Sequence, residues 1–183
     1  SYFISDTLSQ KISETKNSQG VFAVCKMKNE NISLKTGQKY IALDNLQDPG
    51  NLGTVIRTAE ALGISSVIVG GGCDVFNPKV LRASMGSVLR LDVFECQSLA
   101  PVLQKAKSLG IKTYATSPDS SAKKINETQF PKSSLCVIGN EANGVSDEVM
   151  NICDETVTIP MLGRAESLNA HVAGAIVMWE MLR

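Results

Sequence analysis

From Tyr40 to the end of the chain, short runs rich in Val, Ile and Leu alternate with stretches of helical periodicity. This alternation limits the possible folds more than any other feature. It predicts strands at Tyr40–Leu43, Ser66–Val69, Leu91–Phe94, Lys112–Ala115, Leu135–Ile138 and Thr156–Ile159. It predicts helices at Leu52–Leu62, Pro78–Val88, Leu99–Leu109, Ser146–Asn151 and Ser167–Met181. Apolar strands interleaved with helices argue an α/β fold: a parallel sheet covered by helices on both faces. In such a fold ligands sit beyond the carboxyl ends of the strands. The loops that fall there read "DNLQDPGN", "GGGCDVFNPK", "GNEANG" and "PMLGRAESLN", rich in Gly, Asn, Ser and acidic residues.

Composition narrows the class without choosing the function. Of 183 residues, 43% are hydrophobic and 20% charged, which suits a chain that builds a core. Lys plus Arg and Asp plus Glu number 18 each, so net charge gives no sign of a polyanionic partner. A basic face can still coexist with an acidic one. The five cysteines, Cys25, Cys73, Cys96, Cys136 and Cys153, are far apart with no CxxC pair, and His171 is the only histidine. That pattern argues against zinc and for a reducing compartment, so a cytoplasmic location is expected. No apolar stretch approaches membrane-spanning length and the N-terminus has no signal-peptide layout, so no membrane role is expected.

Residues 1–36 differ from the rest. Ser5 and Asp6 start a short helix pattern ending near Lys16; a strand is expected at Val21–Cys25, then the polar, linker-like "KMKNENISLKTGQK". One helix and one strand cannot bury a core. Residues 1–36 are therefore read as the end of another domain plus a linker, or as an arm docked on the main one, and 37–183 as the main domain.

Individually the loops are ambiguous. "LCVIGNEANGVSDEV" fits an ordinary strand-to-helix turn as well as a ligand loop, and it lacks the Lys-Ser/Thr pair of a phosphate loop. In "VTIPMLGRAESLNAHVAGAIVMWEMLR", Ser167 is expected to cap a helix, and Ser167 and Asn169 would offer polar groups at its start. The small residues Ala173, Gly174 and Ala175 suit close packing of that helix.

Taken together, "DNLQDPGNLGTVIRTAEALGI", "CVIGNEANGVSDEV" and "VTIPMLGRAESLNAHVAGAIVMWEML" resemble the ordered signature motifs of the SpoU/TrmH family, in the SPOUT superfamily of S-adenosylmethionine-dependent RNA methyltransferases. The resemblance runs from about Tyr40 to Arg183 and includes "NPKVLRASMGSVLRLDV". "SDTLSQKISETKNSQGVFAVCK" is similar to the junction with a small RNA-binding domain in members that modify ribosomal RNA. On that resemblance, residues 1–36 are a remnant of the RNA-binding domain, most of which lies outside a chain starting at Ser1.

The resemblance implies a C-terminal trefoil knot, a bent S-adenosylmethionine in a pocket of knotted loops, no metal, and a homodimer. Carried over, Thr116, Gly139, Ile159, Leu168 and Asn169 would contact the methyl donor. Arg57, Asn51, Glu141, Ser167 and Asn169 would form the catalytic centre. Asn77, Lys79 and Arg82 would meet RNA phosphates, although a solvated helix start explains them equally; Arg164 is open in the same way. The implied reaction is methyl transfer to a ribose 2′-hydroxyl, with ribosomal RNA favoured over transfer RNA through the N-terminal junction. The family's candidate base is the arginine at Arg57. Guanidinium keeps its proton to a pH of about 12, so electrostatic stabilisation of the alkoxide stays open as its role.

Periodicity gives a second view of Arg57. Leu52, Val55, Ile56, Ala59 and Leu62 make an apolar stripe, and Arg57 points roughly 160° from its centre, as a solvated arginine would. His171 departs from the family pattern, which commonly has a small polar residue there. Two other functions compete: an RNA-binding protein of the same fold without catalysis, and a dinucleotide-dependent oxidoreductase. The latter lacks its glycine fingerprint.

Overall fold

The computed structural model describes residues 1–13, 15, 17–26 and 31–183. The chain divides into two compact units, Ser1–Glu30 and Asn31–Arg183. In the first unit, helix α1 spans Asp6–Ile12, and Ser5 Oγ accepts the Leu8 N–H at 3.3 Å. The helix stops at Ile12; its expected extension to Lys16 runs onto Glu14 and Lys16, which lie outside the described residues, as does 27–30 of the expected linker. The strand expected at Val21–Cys25 does not form. Residues 21–26 have no regular structure and are exposed, because a strand needs a hydrogen-bonded neighbour and none pairs with this segment among the described residues.

The second unit carries strands β1 Lys39–Asp44, β2 Ser66–Gly70, β3 Asp92–Cys96, β4 Lys112–Thr116, β5 Lys123–Lys124, β6 Ser134–Ile138 and β7 Glu155–Thr158. All pairings are parallel, and the spatial order is β3-β2-β1-β6-β4-β7-β5. Its helices are α2 Pro49–Leu62, α3 Pro78–Ala83, α4 Ala100–Ser108, α5 Asp147–Ile152 and α6 Ala170–Leu182. The expected α/β architecture is therefore the observed one. The two-residue edge strand β5 was not anticipated; Lys-Lys carries no apolar signal.

Side chains alternate across the sheet and so create two cores. Ile41, Leu43, Val67 and Val69 face α2 and α6, whereas Tyr40, Ala42, Ile68 and Val137 face α4 and α5. Ile32 and Leu34 also pack against the second core, so these residues, read as linker, belong to the second unit.

Helix ends correct several expected boundaries. Pro78–Val88 is not one helix. Met85 at φ 51° and Gly86 at φ 81° break it, and a short 3₁₀ turn follows at Ser87–Leu89. α2 begins three residues before Leu52, because Asp48 accepts the Asn51 N–H at 2.8 Å and Pro49 fits the first turn. α6 is capped by Asn169, whose Oδ1 accepts the His171 N–H at 3.0 Å, and not by Ser167. Within the Ala173–Ala175 run, Gly174 faces α2. A Cβ at Gly174 would meet Val55 at an ordinary 3.5 Å. The demanding glycine is Gly53, where a Cβ would lie 2.5 Å from Ala83 Cβ and 2.7 Å from Val80 O, so α2 and α3 approach through it.

Candidate functional site

A cavity of about 290 Å³ opens at the carboxyl ends of β4, β6 and β7. The strand ends and three loops wall it, 117–118 after β4, 139–145 after β6 and 159–168 after β7, with Met150 of α5 and Ala170 and Ala173 of α6. Thr116, Gly139, Ile159 and Leu168, four of the five expected donor-binding residues, line it, and so do Glu141 and Ser167. Asn169 does not; it sits beside the cavity as the cap of α6.

The loop after β6 closes on itself. Asn140 and Gly144 exchange backbone hydrogen bonds of 2.9 and 3.0 Å. Asn140 Oδ1 accepts the Ala142 and Asn143 N–H groups, and its Nδ2 donates to Asn45 O at 2.8 Å. A Cβ on Gly139 would collide with the Gly144–Val145 backbone. Loop closure therefore dictates this glycine; the ligand is not needed to explain it. Asp44, at the end of β1, accepts both the Ser146 N–H at 2.8 Å and its hydroxyl at 2.7 Å. Asn140 and Asp44 shape the site and are not among the residues expected from the sequence. Their signal was local: an Asn four residues before a Gly, and an Asp closing an apolar strand.

Glu141 ties this loop to the one after β1. Its Oε1 accepts from Asn51 Nδ2 at 2.9 Å, and its carboxylate lies 3.4 Å from the Gln47 and Asp48 N–H groups. Burial alone would push the Glu141 carboxyl up. The bonds from Asn51 and from the backbone outweigh it and hold the group below the ordinary glutamate value. Asn51 itself is buried, 7% exposed, and its Oδ1 lies 2.9 Å from His171 Nδ1. Asn51 thus touches Glu141 on one side and α6 on the other. Thr116 uses its hydroxyl to bond Val137 O at 3.0 Å.

The remaining expected residues lie elsewhere. Arg57 is exposed and makes no side-chain hydrogen bond among the described residues. It follows Gly53 by one turn, on the side of α2 that meets α3, and does not line the cavity. Asn77 caps α3 by accepting the Lys79 N–H at 2.9 Å; Lys79 and Arg82 are exposed there, and Arg164 is exposed in the loop before α6.

The donor set can be tested against S-adenosylmethionine. Ile138, Val145, Met150, Ile159 and Leu168 offer apolar walls for an adenine, and the loops between them offer backbone polar groups. An ionised Glu141 at the same cavity suits a cationic ligand. The residues fit. Among the described residues no group of three or more His, Cys, Asp or Glu could hold a metal ion, and no helix is long and apolar enough to cross a membrane.

The model of the SpoU rRNA Methylase family matches residues 38–179. The chain is 36% identical to the 23S rRNA (guanosine(2553)-2′-O)-methyltransferase RlmP of Bacillus subtilis, over 98% of this chain and 71% of that protein. It is 34% identical to a 23S rRNA (uridine(2479)-2′-O)-methyltransferase of Streptomyces viridochromogenes, over 78% of this chain and 52% of the relative. Among solved structures, an RNA 2′-O ribose methyltransferase superimposes with a TM-score of 0.82 at 30% identity, covering 97% of this chain and 69% of that one. The SpoU methyltransferase AviRb from Streptomyces viridochromogenes, in complex with AdoMet, gives 0.73 at 33% identity, covering 81% and 61%.

Proposed function

The chain belongs to the SpoU rRNA methylase family, and from that premise we propose that it transfers a methyl group from S-adenosylmethionine to a ribose 2′-hydroxyl of ribosomal RNA in the cytoplasm. The observation that carries the reading is the single cavity where Thr116, Gly139, Ile159 and Leu168 meet Glu141 and Ser167. Bound there, S-adenosylmethionine supplies the methyl group of its sulfonium. The transfer breaks the S–CH3 bond, makes an O–CH3 bond and releases the hydroxyl proton to an acceptor.

Each residue then has a physical task. Backbone groups around Gly139, Ile159 and Leu168 hold the donor, and Thr116 closes the pocket beside them. Glu141, kept ionised, favours the cationic end of the donor. Asn51 fixes Glu141, and Asn169 and Ser167 present polar groups at the start of α6. Arg57 neutralises the phosphate next to the target ribose and lowers the energy of the developing alkoxide. Asn77, Lys79 and Arg82 add phosphate contacts along α3. The three walls are the loops that a trefoil knot would bring together, and residues 1–30, the first unit, belong with an RNA-binding domain. Ribosomal rather than transfer RNA is favoured because the 23S rRNA enzyme of Bacillus subtilis matches nearly the whole chain.

A homodimer completes the reading. α6 is apolar apart from His171 and Glu180, and its outer side leaves Val172 37%, Trp179 62% and Leu182 38% exposed. Such a stripe is covered economically by a second copy. In a dimer with its sites near the interface, the exposed Arg57 would act at the boundary.

Calorimetric titration with S-adenosylmethionine tests the site. The wild-type chain and Arg57→Ala are expected to bind the donor with the same affinity, while the variant loses transfer. Absence of donor binding would favour an RNA-binding protein without catalysis; full turnover by the variant would remove Arg57 from the mechanism.

A further inference from the structure

A hydrogen bond joins the first turns of α2 and α6, Asn51 Oδ1 to His171 Nδ1 at 2.9 Å. Its polarity is decided by chemistry at the far end. Glu141 is held below the ordinary glutamate value, so near neutral pH it is a carboxylate and can only accept hydrogen bonds. Asn51 must therefore turn its NH2 group toward Glu141, which is the 2.9 Å contact observed. That leaves its carbonyl oxygen facing the imidazole, and a carbonyl can only accept. His171 must carry its proton on Nδ1.

Both partners are held from behind. The Asn51 N–H is bound by the Asp48 cap at 2.8 Å, and the His171 N–H by the Asn169 cap at 3.0 Å. His171 Nε2 makes no hydrogen bond among the described residues and is not a buried unsatisfied atom, so it reaches solvent. A neutral imidazole in water prefers the proton on Nε2. Here the relay imposes the other tautomer.

We infer that His171 is a positioning residue: the chain Glu141–Asn51–His171 has one polarity, and His171 locks the Asn51 amide so that its NH2 side fixes Glu141 at the cavity. The Nδ1–H donor exists in both the neutral and the protonated imidazole, so the lock does not depend on the charge of the ring. The effect on turnover rests on the methyl-transfer reading above; the tautomer does not.

Because His171 is the sole histidine, uniformly ¹⁵N-labelled protein gives a single imidazole to observe. Long-range ¹H–¹⁵N spectra of the wild-type chain above the imidazole titration should show the proton on Nδ1, and Asn51→Ala should return it toward Nε2. An Nε2–H wild type would overturn the relay. Two variants then read the positioning role. His171→Asn keeps an N–H donor at the place of Nδ1, whereas His171→Asp puts an acceptor against the Asn51 carbonyl, so that the new carboxylate and Glu141 compete for the one Asn51 NH2 group. Misplacement of this kind is expected to lower kcat on the order of 10- to 100-fold in His171→Asp, with His171→Asn restoring most of it. Equal kcat in the two variants, even with different melting temperatures, would reduce the contact to a structural staple and overturn the positioning role. An inactive wild type that still shows Nδ1–H would count against methyl transfer and leave the relay standing.

Discussion

A carboxylate that receives an amide N–H and approaches two backbone N–H groups is stabilised in its charged form, and Glu141 is in that position. Its folded-state value lies below the ordinary one, so the unfolded chain binds more protons in that window and Glu141 favours folding at higher pH. That contribution is complete above the unfolded value of about 4.3 and fades as pH falls through the lower folded value. Melting temperatures measured from pH 6 down to about pH 3 should therefore fall more steeply for the wild type than for Glu141→Gln. Parallel curves would show that these bonds do not stabilise the charged form. Glu141 could be picked out from "GNEANG" only through its neighbours in the family motif. Its contact with Asn51 spans 90 positions in the chain, and no local pattern records it. Arg57 is the opposite case. Helical periodicity turned it away from the core, and the structure exposes it as that pattern requires.

At the scale of elements, the central strands β1, β2 and β6 were the most legible because they are buried along nearly their whole length and read as apolar runs. Ends were less legible, because caps depend on which of several polar residues reaches the backbone. Ser167 and Asn169 both have cap chemistry, and only the path of the chain decides between them. Asn169→Ala should cost about 1 kcal/mol by chemical denaturation, and Ser167→Ala should leave stability unchanged. A loss at Ser167 and none at Asn169 would contradict the observed cap. The break in the helix after Ala83 follows from Met85, whose positive φ no sequence pattern announces. The missing strand at Val21–Cys25 shows the converse: an apolar run becomes a strand only where a sheet edge accepts it.

For the whole molecule, the second unit is a family domain with its cavity at the carboxyl edge of the sheet, and the chain spans roughly half to seven-tenths of the relatives it matches. The exposed stripe on α6 predicts the assembly. Light scattering at micromolar concentration should give the mass of a dimer for the wild type and a shift to monomer for Trp179→Asp. A monomeric wild type would leave Arg57 without the interface that the mechanism gives it. The chemistry itself is read from where the methyl group goes. The chain is incubated with methyl-labelled S-adenosylmethionine and ribosomal RNA from cells lacking the enzyme, and the RNA is then digested to nucleosides for mass spectrometry. Label on a ribose 2′-oxygen, absent with Arg57→Ala, is the predicted result; label on a base, or equal ribose labelling by the variant, would contradict it.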